Sequence, residues 1–211
     1  DTFTIFPTWV AEFCDAYTAR FRIPFSVHAR ADTVNREMLQ QMAAAGCRHI
    51  VYGVESGSIR VRREIMQRPI TNDRMIDTFR WTRETGMIVT ANYMLGLPTE
   101  TREDLEQTIE LHKQLQPDDF GYFVFYPYPG TRLFHVCQER GYLPENFLDL
   151  PANHRESILN LPSLSRDDIA EFYDRFTTLR EESYLNRQSG RISAETERQI
   201  VHEVQKCAAT G

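Results

Sequence analysis

Apolar residues along the chain recur first at helical spacing and then in short runs, and this alternation repeats. Residues 7–21 carry them close to a period of 3.6, which predicts a helix, and residues 25–29 are short and apolar enough for a strand. Asn35 is a suitable N-cap for a second helix, which Gly46 ends because glycine adopts a left-handed backbone at little cost. The opening of the chain therefore predicts a helix, a strand and a helix in succession.

The same unit recurs downstream, with predicted strands at residues 49–54, 87–95 and 120–126. Thr71 and Thr101 are suitable N-caps for the helices between these strands. The strands are nearly continuous apolar runs, which is typical of parallel strands that are buried on both faces. Strands that alternate with helices in this way favour βαβ units with right-handed crossovers. The pattern therefore predicts an α/β fold with a parallel sheet.

The pattern changes towards both ends of the chain. Residues 1–4 are interpreted as the end of a further strand. Residues 142–163 show no clean period, and Ser165 is then a suitable N-cap for a long amphipathic helix. Residues 188–190 form a predicted hinge, and residues 193–206 carry apolar side chains at helical spacing. A mostly helical extension is therefore predicted after the last βα unit.

Composition narrows the class of protein. The formal net charge of −6 does not favour a surface that binds nucleic acid, and no apolar run approaches the roughly 20 residues of a membrane span. The four cysteines lie far apart without a C-x-x-C, which favours reduced, buried thiols in a cytoplasmic protein. Asp1 is not an initiator Met and no signal peptide follows it, so we expect a fragment or a processed product.

Loops rich in Gly, Pro and polar residues follow the predicted strands, at Arg30–Asp32, Gly53–Ser58, Gly96–Thr101 and Tyr126–Thr131. Ligands of parallel βα folds bind at the carboxyl ends of the strands, because loops and helix N-termini gather there. Glu55 would place a carboxylate at this edge, able to accept hydrogen bonds from the vicinal hydroxyls of a ribose. The four loops together predict a ligand site on one rim of the sheet.

Each loop alone also has an ordinary structural interpretation. Gly53 and Gly57 are common turn residues, and Glu55 suits the positive end of a helix. Arg30 would pair with Asp32 or with Glu55. For any single loop these interpretations are at least as favoured, and only the joint occurrence on one rim favours a ligand site.

Four segments resemble the radical S-adenosylmethionine (SAM) superfamily, in particular the branch whose members often carry an N-terminal cobalamin-binding domain. They are residues 1–4, 29–58, 93–109 and 125–134, and they include the strings GVESGS, GLPTET and FYPYPGTRLF in the family's order. The resemblance covers residues 1–143. Four strings in order at family-like spacing are far more specific than any one of them.

The resemblance implies a fold and a chemistry. The fold is a partial (β/α)6 TIM-like barrel, truncated at its N-terminus, over residues 1–143, with a C-terminal extension over residues 144–211. In the family a 4Fe–4S cluster binds SAM, and an electron from the cluster cleaves it to a 5′-deoxyadenosyl radical that attacks the substrate. Cobalamin mediates methyl transfer in some members. The implied partners are SAM, an unknown substrate, an electron donor and the N-terminal part of the same protein.

The resemblance also assigns residues to the SAM site. Glu55 matches the position that contacts the ribose, with Gly53 and Ser56 flanking it. Arg68 would pair with the SAM carboxylate, although residues 59–68 are one residue longer than usual. The remaining assigned positions lie at the ends of the other strands, at Arg30, Met94, Gly96, Tyr126 and Pro127.

Two departures from the family pattern stand out. Thr99 replaces a glycine, which restricts the turn because Thr does not tolerate positive φ as glycine does. The C-x-x-x-C-x-x-C motif that holds the cluster is absent, and Cys14 and Cys47 are predicted in a helix and at the amino end of a strand. We therefore expect the chain by itself to be inactive. A non-catalytic barrel that serves binding or assembly is the alternative, and a hydrolytic barrel ranks last because no nucleophile–base pair is visible.

Overall fold

A computed structural model describes residues 2–185, in which helices and strands alternate in the predicted order. The helices are α1 (Pro7–Arg20), α2 (Arg36–Ala44), α3 (Asn72–Glu84), α4 (Arg102–Leu115) and α5 (Arg132–Glu139). The strands are β1 (Phe25–Ala29), β2 (Cys47–Glu55), β3 (Ile88–Leu95) and β4 (Asp119–Val124). A π-helix at Val61–Ile65 and a 3-10 helix at Phe147–Asp149 lie in the connections.

The strands form one parallel sheet in the order β1-β2-β3-β4, so neighbours in sequence are neighbours in space. Tyr52 lies opposite Ala91, and Ala91 lies opposite Phe120, so the carboxyl ends of these strands meet at one edge. The predicted α/β class and parallel sheet are confirmed. Within the described part of the chain the sheet has four strands.

The residues before α1 do not continue the sheet. Phe3 and Thr4 lie in a turn, and the Phe3 amide donates one hydrogen bond, 2.9 Å long, to the carbonyl of His28. The interpretation of residues 1–4 as a strand end is therefore wrong for residues 2–4. One bond beside β1 does not make the repeated ladder that defines a strand.

The capping prediction is confirmed. The side chain of Asn35 accepts a hydrogen bond from the Met38 amide at 2.8 Å, and Thr71 and Thr101 cap α3 and α4 in the same way. Gly46 ends α2 with a φ of 106°, in the left-handed region. These short polar signals fix where each crossover helix begins and ends.

The two faces of the sheet differ. Tyr52 and Tyr93 point towards the helices, where they are fully buried and contact Thr82 of α3 and His112 of α4. The alternate positions, including Asn92 and Met94, are only half-buried. The prediction that both faces are buried is therefore wrong for the described residues. Their helices cover one face, and the other face carries the polar positions of the strands.

The described chain also contains helix beyond the sheet. Residues 166–185 are helical, and the hydroxyl of Ser165 accepts a hydrogen bond from the Asp168 amide at 3.0 Å, as its predicted capping role requires. Residues 144–164 contain only the short Phe147–Asp149 helix. The predicted helical character of the extension thus begins at residue 166.

One compact unit runs to Tyr173, and a second begins at Asp174. The predicted hinge at residues 188–190 and the predicted helix at residues 193–206 lie outside the described residues. None of the described helices is long and apolar enough to cross a membrane.

Candidate functional site

Glu55 ends β2 with its carboxylate folded back over the edge of the sheet. Its φ is 67°, and the pairing register with β3 shifts between Gly53 and Glu55. A Cβ placed on Gly53 would lie 2.5 Å from Oε1 of Glu55, closer than real atoms approach. The glycine therefore leaves the space that the carboxylate occupies.

Arg68 holds one oxygen of this carboxylate. Its Nη1 donates to Oε1 of Glu55 at 3.1 Å, and the two side chains are 40% and 18% exposed. Burial raises the pKa of Glu55 above its ordinary value, and the nearby positive charge of Arg68 opposes that rise. Among the described residues, no hydrogen-bond partner contacts Oε2. One oxygen of the carboxylate at the end of β2 is thus held by Arg68, while the other keeps its capacity to accept hydrogen bonds.

The π-helix explains how the longer connection still delivers Arg68. The Met66 amide donates to the carbonyl of Val61 at 3.0 Å, an i to i+5 bond. A π-turn accommodates one residue more than an α-turn, and such turns are frequent at functional sites. The additional residue that the sequence shows between residues 59 and 68 is therefore absorbed inside one turn.

Arg62 fixes both ends of this connection. Its side chain is 1% exposed and bonds the carbonyls of Ser56 and Ile70 and, at 2.5 Å, Oδ1 of Asn72. Burial lowers its pKa to about 10, so the guanidinium remains charged at neutral pH. Among the described residues no carboxylate pairs with the Arg62 guanidinium. Carbonyl oxygens accept its hydrogen bonds in place of water. The segment that positions Arg68 is thereby tied to the ends of β2 and α3.

Ser56 and the next residues pack inward against α4. Ser56 is fully buried, and the Gly57 amide donates to Oγ1 of Thr108 at 2.8 Å. A Cβ on Gly57 would lie 2.2 Å from the carbonyl oxygen of Gln107 in the α4 backbone. These residues support the loop from beneath, and the Ser56 side chain does not line the rim beside Glu55.

Arg30 is occupied by an ion pair. Its Nε and Nη2 bind the two carboxylate oxygens of Asp32 at 3.0 and 2.6 Å. This bidentate bond lowers the pKa of Asp32, and the charge of Arg68 acts in the same direction. The expected pairing of Arg30 is therefore with Asp32, at the carboxyl edge next to the Arg68–Glu55 pair.

Gly96 begins a tight loop after β3. Its φ is 78°, and its amide donates to Oε2 of Glu100 at 2.7 Å. A Cβ here would lie 2.9 Å from the side chain of Ile169. Thr99 adopts a φ of 63°, the region in which its branched side chain is strained, and its carbonyl accepts a bond from Arg60 at 2.9 Å. The loop is a packed turn supported from within.

An open cavity of about 640 Å³ lies beyond the ends of β3 and β4. Three predicted residues line it, namely Arg68, Met94 and Tyr126. Arg68 connects the cavity to Glu55 and Gly53, so five predicted residues form one continuous region. The four other predicted residues do not line the cavity. Arg30 pairs with Asp32, and Ser56 packs against α4. Gly96 lies in the loop after β3, and Pro127 is buried after Tyr126.

Four further polar residues line this cavity, namely Tyr128, Thr131, Arg132 and His154. The first two belong to the loop that the sequence already indicated, whereas sequence reasoning missed Arg132 and His154. Tyr128 lies in the Pro-rich exit of β4, and Arg132 is the first residue of α5, a position at which loop signals were already visible. His154 lies within residues 142–163, the stretch in which apolar residues show no clean period. No local pattern indicated that it returns to the end of β4.

The described cysteines do not form a cluster site. Cys14, Cys47 and Cys137 are each buried, and burial raises the pKa of every one of these thiols. Within residues 2–185 there is no group of three or more His, Cys, Asp or Glu side chains that could hold a metal ion. The described residues therefore do not fit an iron–sulfur cluster. The Glu55 carboxylate, by contrast, keeps one oxygen that can accept hydrogen bonds.

Comparison with known proteins decides the family. The model of the radical SAM superfamily matches residues 6–112, about half of the chain, including β1, β2, β3 and the rim with Glu55. The chain belongs to the radical SAM superfamily. Enzymes of this superfamily use a 4Fe–4S cluster and SAM.

Individual relatives agree with this placement. An uncharacterised methyltransferase of Pyrococcus horikoshii is 33% identical over 115 residues, which are 54% of this chain and 25% of the relative. Coproporphyrinogen III oxidase of Escherichia coli, a radical SAM enzyme, superposes with a TM-score of 0.62 at 18% identity, covering 84% of this chain and 38% of that one. The methyltransferase TsrM of Kitasatospora setae, solved with cobalamin and a [4Fe–4S] cluster, gives a TM-score of 0.54 at 20% identity over 64% of this chain and 26% of that one.

These likenesses confirm the radical SAM barrel as the fold of the matched part. The chain spans about a quarter of the length of the curated relatives that it matches.

Proposed function

We propose that this chain is part of a radical SAM enzyme and that the edge with Glu55 binds the nucleoside of SAM. The observation that carries the proposal is the geometry of Glu55. Arg68 holds Oε1 at 3.1 Å, Gly53 leaves the space for the carboxylate, and no described residue hydrogen-bonds Oε2. A carboxylate that accepts bonds from two neighbouring hydroxyls matches the ribose of SAM.

The cluster and SAM would supply the radical chemistry. The ligands of the cluster would come from outside residues 2–185, since the described cysteines are buried apart. The residues of this chain would bind and orient SAM and exclude water around it. An electron donor and a substrate are required partners of this chemistry.

We propose methylation as the reaction, with cobalamin as its methyl carrier. Two curated relatives are named as methyltransferases, and TsrM was solved with cobalamin. Product analysis of the intact protein tests this step. Methyl transfer leaves S-adenosylhomocysteine, whereas simple reductive cleavage leaves only 5′-deoxyadenosine and methionine. Incubation with SAM, cobalamin and a reductant should yield S-adenosylhomocysteine, because the methyl group of SAM passes to the reduced cobalamin. 5′-Deoxyadenosine as the sole nucleoside product would defeat the methylation proposal.

Calorimetric titration of SAM into the intact protein tests the nucleoside site. Glu55→Gln removes the charge but keeps the shape, and we expect about tenfold weaker binding because hydrogen bonds to a charged group contribute about 1.5–3 kcal/mol. Glu64→Gln is the matched control, because Glu64 is exposed on the π-helix and its ion pair within residues 2–185 is with its exposed neighbour Arg63. Equal affinity of wild type and Glu55→Gln would remove the basis of the proposal.

A further inference from the structure

The C-terminal extension contacts the loop after β3 at both ends of that loop. At its start, a Cβ on Gly96 would lie 2.9 Å from Cδ1 of Ile169, whose side chain is buried. At its end, the hydroxyl of Ser163 donates to the backbone carbonyl of Glu100 at 2.8 Å. Ile169 therefore fills the space behind Gly96, and Ser163 fixes the other end of the turn.

The hydrogen bonds inside the loop converge on Glu100. The amides of Gly96 and Leu97 donate to Oε2 of Glu100 at 2.7 and 3.1 Å. Glu100 is fully buried, and among the described residues no hydrogen-bond partner contacts its Oε1. Because the carboxyl group is bonded through one oxygen only, its position depends on the residues packed around the loop, which include those of the extension.

Arg102 joins the extension to the first turn of α4. Its Nη2 donates to both carboxylate oxygens of Glu171 at 2.9 Å, and its Nη1 donates to Oδ1 of Asp168. Oδ2 of Asp168 accepts from the amide and the hydroxyl of Ser165 at 2.9 and 2.6 Å. The Arg102 guanidinium also lies 5.2 Å from the ring centre of Phe172. A single exposed ion pair contributes little to stability, whereas a bidentate bond within a network of charges does contribute.

The first turn of α4 also supports the loop after β2. The hydroxyl of Ser58 donates to Oδ1 of Asp104 at 2.6 Å. Arg60 binds the other oxygen of Asp104 and the carbonyl of Thr99. The loop after Glu55, the loop after β3 and the extension thus meet at one helical turn.

We propose that the extension positions both loops through this turn, and that Arg102 and Ile169 are positioning residues that set the affinity of the protein for SAM. Neither residue lines the cavity beyond β3 and β4, so each acts through the loops. The effect on SAM rests on the proposed function, in which SAM binds at the rim with Glu55. The support of the loop by the extension is a separate step, and it can be measured without SAM.

Amide hydrogen exchange and calorimetric titration of S-adenosylhomocysteine, both on the intact protein, measure the two steps. Arg102→Gln removes the charge from the network, and Ile169→Val removes the methyl group behind Gly96. In both variants the amides of Gly96 and Leu97 should exchange about fivefold faster, because local opening of the loop becomes easier. S-adenosylhomocysteine should bind about fivefold more weakly, the size expected for a change in a network that couples to a binding site.

Matched controls are available on α4 itself. Lys113→Gln removes a charge from an exposed ion pair with Glu110, and Ile109→Val removes the same methyl group from a buried position. Both should leave the exchange of the two amides and the nucleoside affinity within about twofold of wild type. Arg102→Lys keeps the charge but not the bidentate fork, so it should bind S-adenosylhomocysteine more tightly than Arg102→Gln does.

The outcomes separate the steps. Unchanged exchange in Arg102→Gln and Ile169→Val, or equal changes in the controls, would show that the extension does not support the loop. Faster exchange with wild-type nucleoside affinity would overturn the positioning role, because a merely structural role changes stability and not the affinity of the folded protein. If the wild type binds no S-adenosylhomocysteine while the exchange pattern holds, the proposed function fails and the support of the loop stands.

Discussion

Replacing Gly53 or Gly57 by alanine should change different properties of the protein. We expect Gly53→Ala to weaken SAM binding and Gly57→Ala to lower stability. A Cβ on Gly57 would lie 2.2 Å from the Gln107 carbonyl oxygen and 2.5 Å from the backbone of Thr108. A Cβ on Gly53 would lie 2.5 Å from Oε1 of Glu55, at the far end of a side chain that can rotate. The first collision is with a helix backbone, and the second is with the proposed ribose-binding group.

The magnitudes follow from what must move. For Gly57→Ala, α4 and the loop must separate, and overpacking of this kind costs about 1–3 kcal/mol of unfolding free energy. For Gly53→Ala, rotation of Glu55 breaks a partly exposed ion pair worth about 0.2–1 kcal/mol. Alanine regains about 0.5–1 kcal/mol of backbone entropy in a strand, so the net change should lie within about 1 kcal/mol of zero.

Urea unfolding and SAM calorimetry on the intact protein measure the two effects. Gly57→Ala should lower the unfolding midpoint clearly. Gly53→Ala should leave the unfolding midpoint near that of wild type. It should weaken SAM binding about tenfold, because the alanine Cβ occupies the space of the Glu55 carboxylate. If Gly53→Ala binds SAM as tightly as wild type, the position of the Glu55 carboxylate beside Gly53 does not determine SAM binding. If Gly57→Ala is as stable as wild type, the loop does not depend on its contact with α4.

Three further predictions concern the packed supports of the site. Burial raises the pKa of Glu100 to about 8, so the stability that its protonated form contributes is present below about pH 4.5 and is lost as the pH rises to about 8. Glu100→Gln is a neutral isostere of the protonated side chain. Between pH 5 and pH 9 its free energy of unfolding, measured in urea, should therefore rise relative to wild type by up to about 4 kcal/mol. Profiles that stay parallel over this range would contradict the raised pKa of Glu100. Thr99→Gly should raise the unfolding free energy by about 1 kcal/mol by relieving the positive φ of 63°, and a loss of stability would show that the side chain is needed. Arg62→Met should lower the free energy of unfolding by about 3 kcal/mol or more, because three backbone and side-chain acceptors lose their donor. An unchanged free energy of unfolding would show that water replaces the guanidinium.

The elements of the sheet were predictable because their signals are local. Continuous apolar runs specify β2 and β3, and caps such as Thr101 specify helix starts through bonds within three residues. The position of Glu55 at a carboxyl edge followed from strand order alone. Family resemblance then assigned Glu55 a contact with the ribose of SAM, a role that periodicity cannot supply and that stays a prediction.

The rest depended on contacts between distant parts of the chain. Arg62 reads as a surface residue in a charged run, and its burial follows only from the turn of residues 56–72 around it. His154 reaches Val124 across 30 residues, with no pattern that marks the return. The half-buried face of the sheet was likewise misjudged, because apolar runs do not reveal which layers cover a strand.

The most direct measurement is a crystal structure of the intact protein grown with S-adenosylhomocysteine. The account predicts that the ribose hydroxyls lie within hydrogen-bond distance of Glu55, with Arg68 still at its other oxygen. A nucleoside bound away from the carboxyl ends of β2 and β3, with Glu55 making no contact to it, would contradict the assignment of this edge.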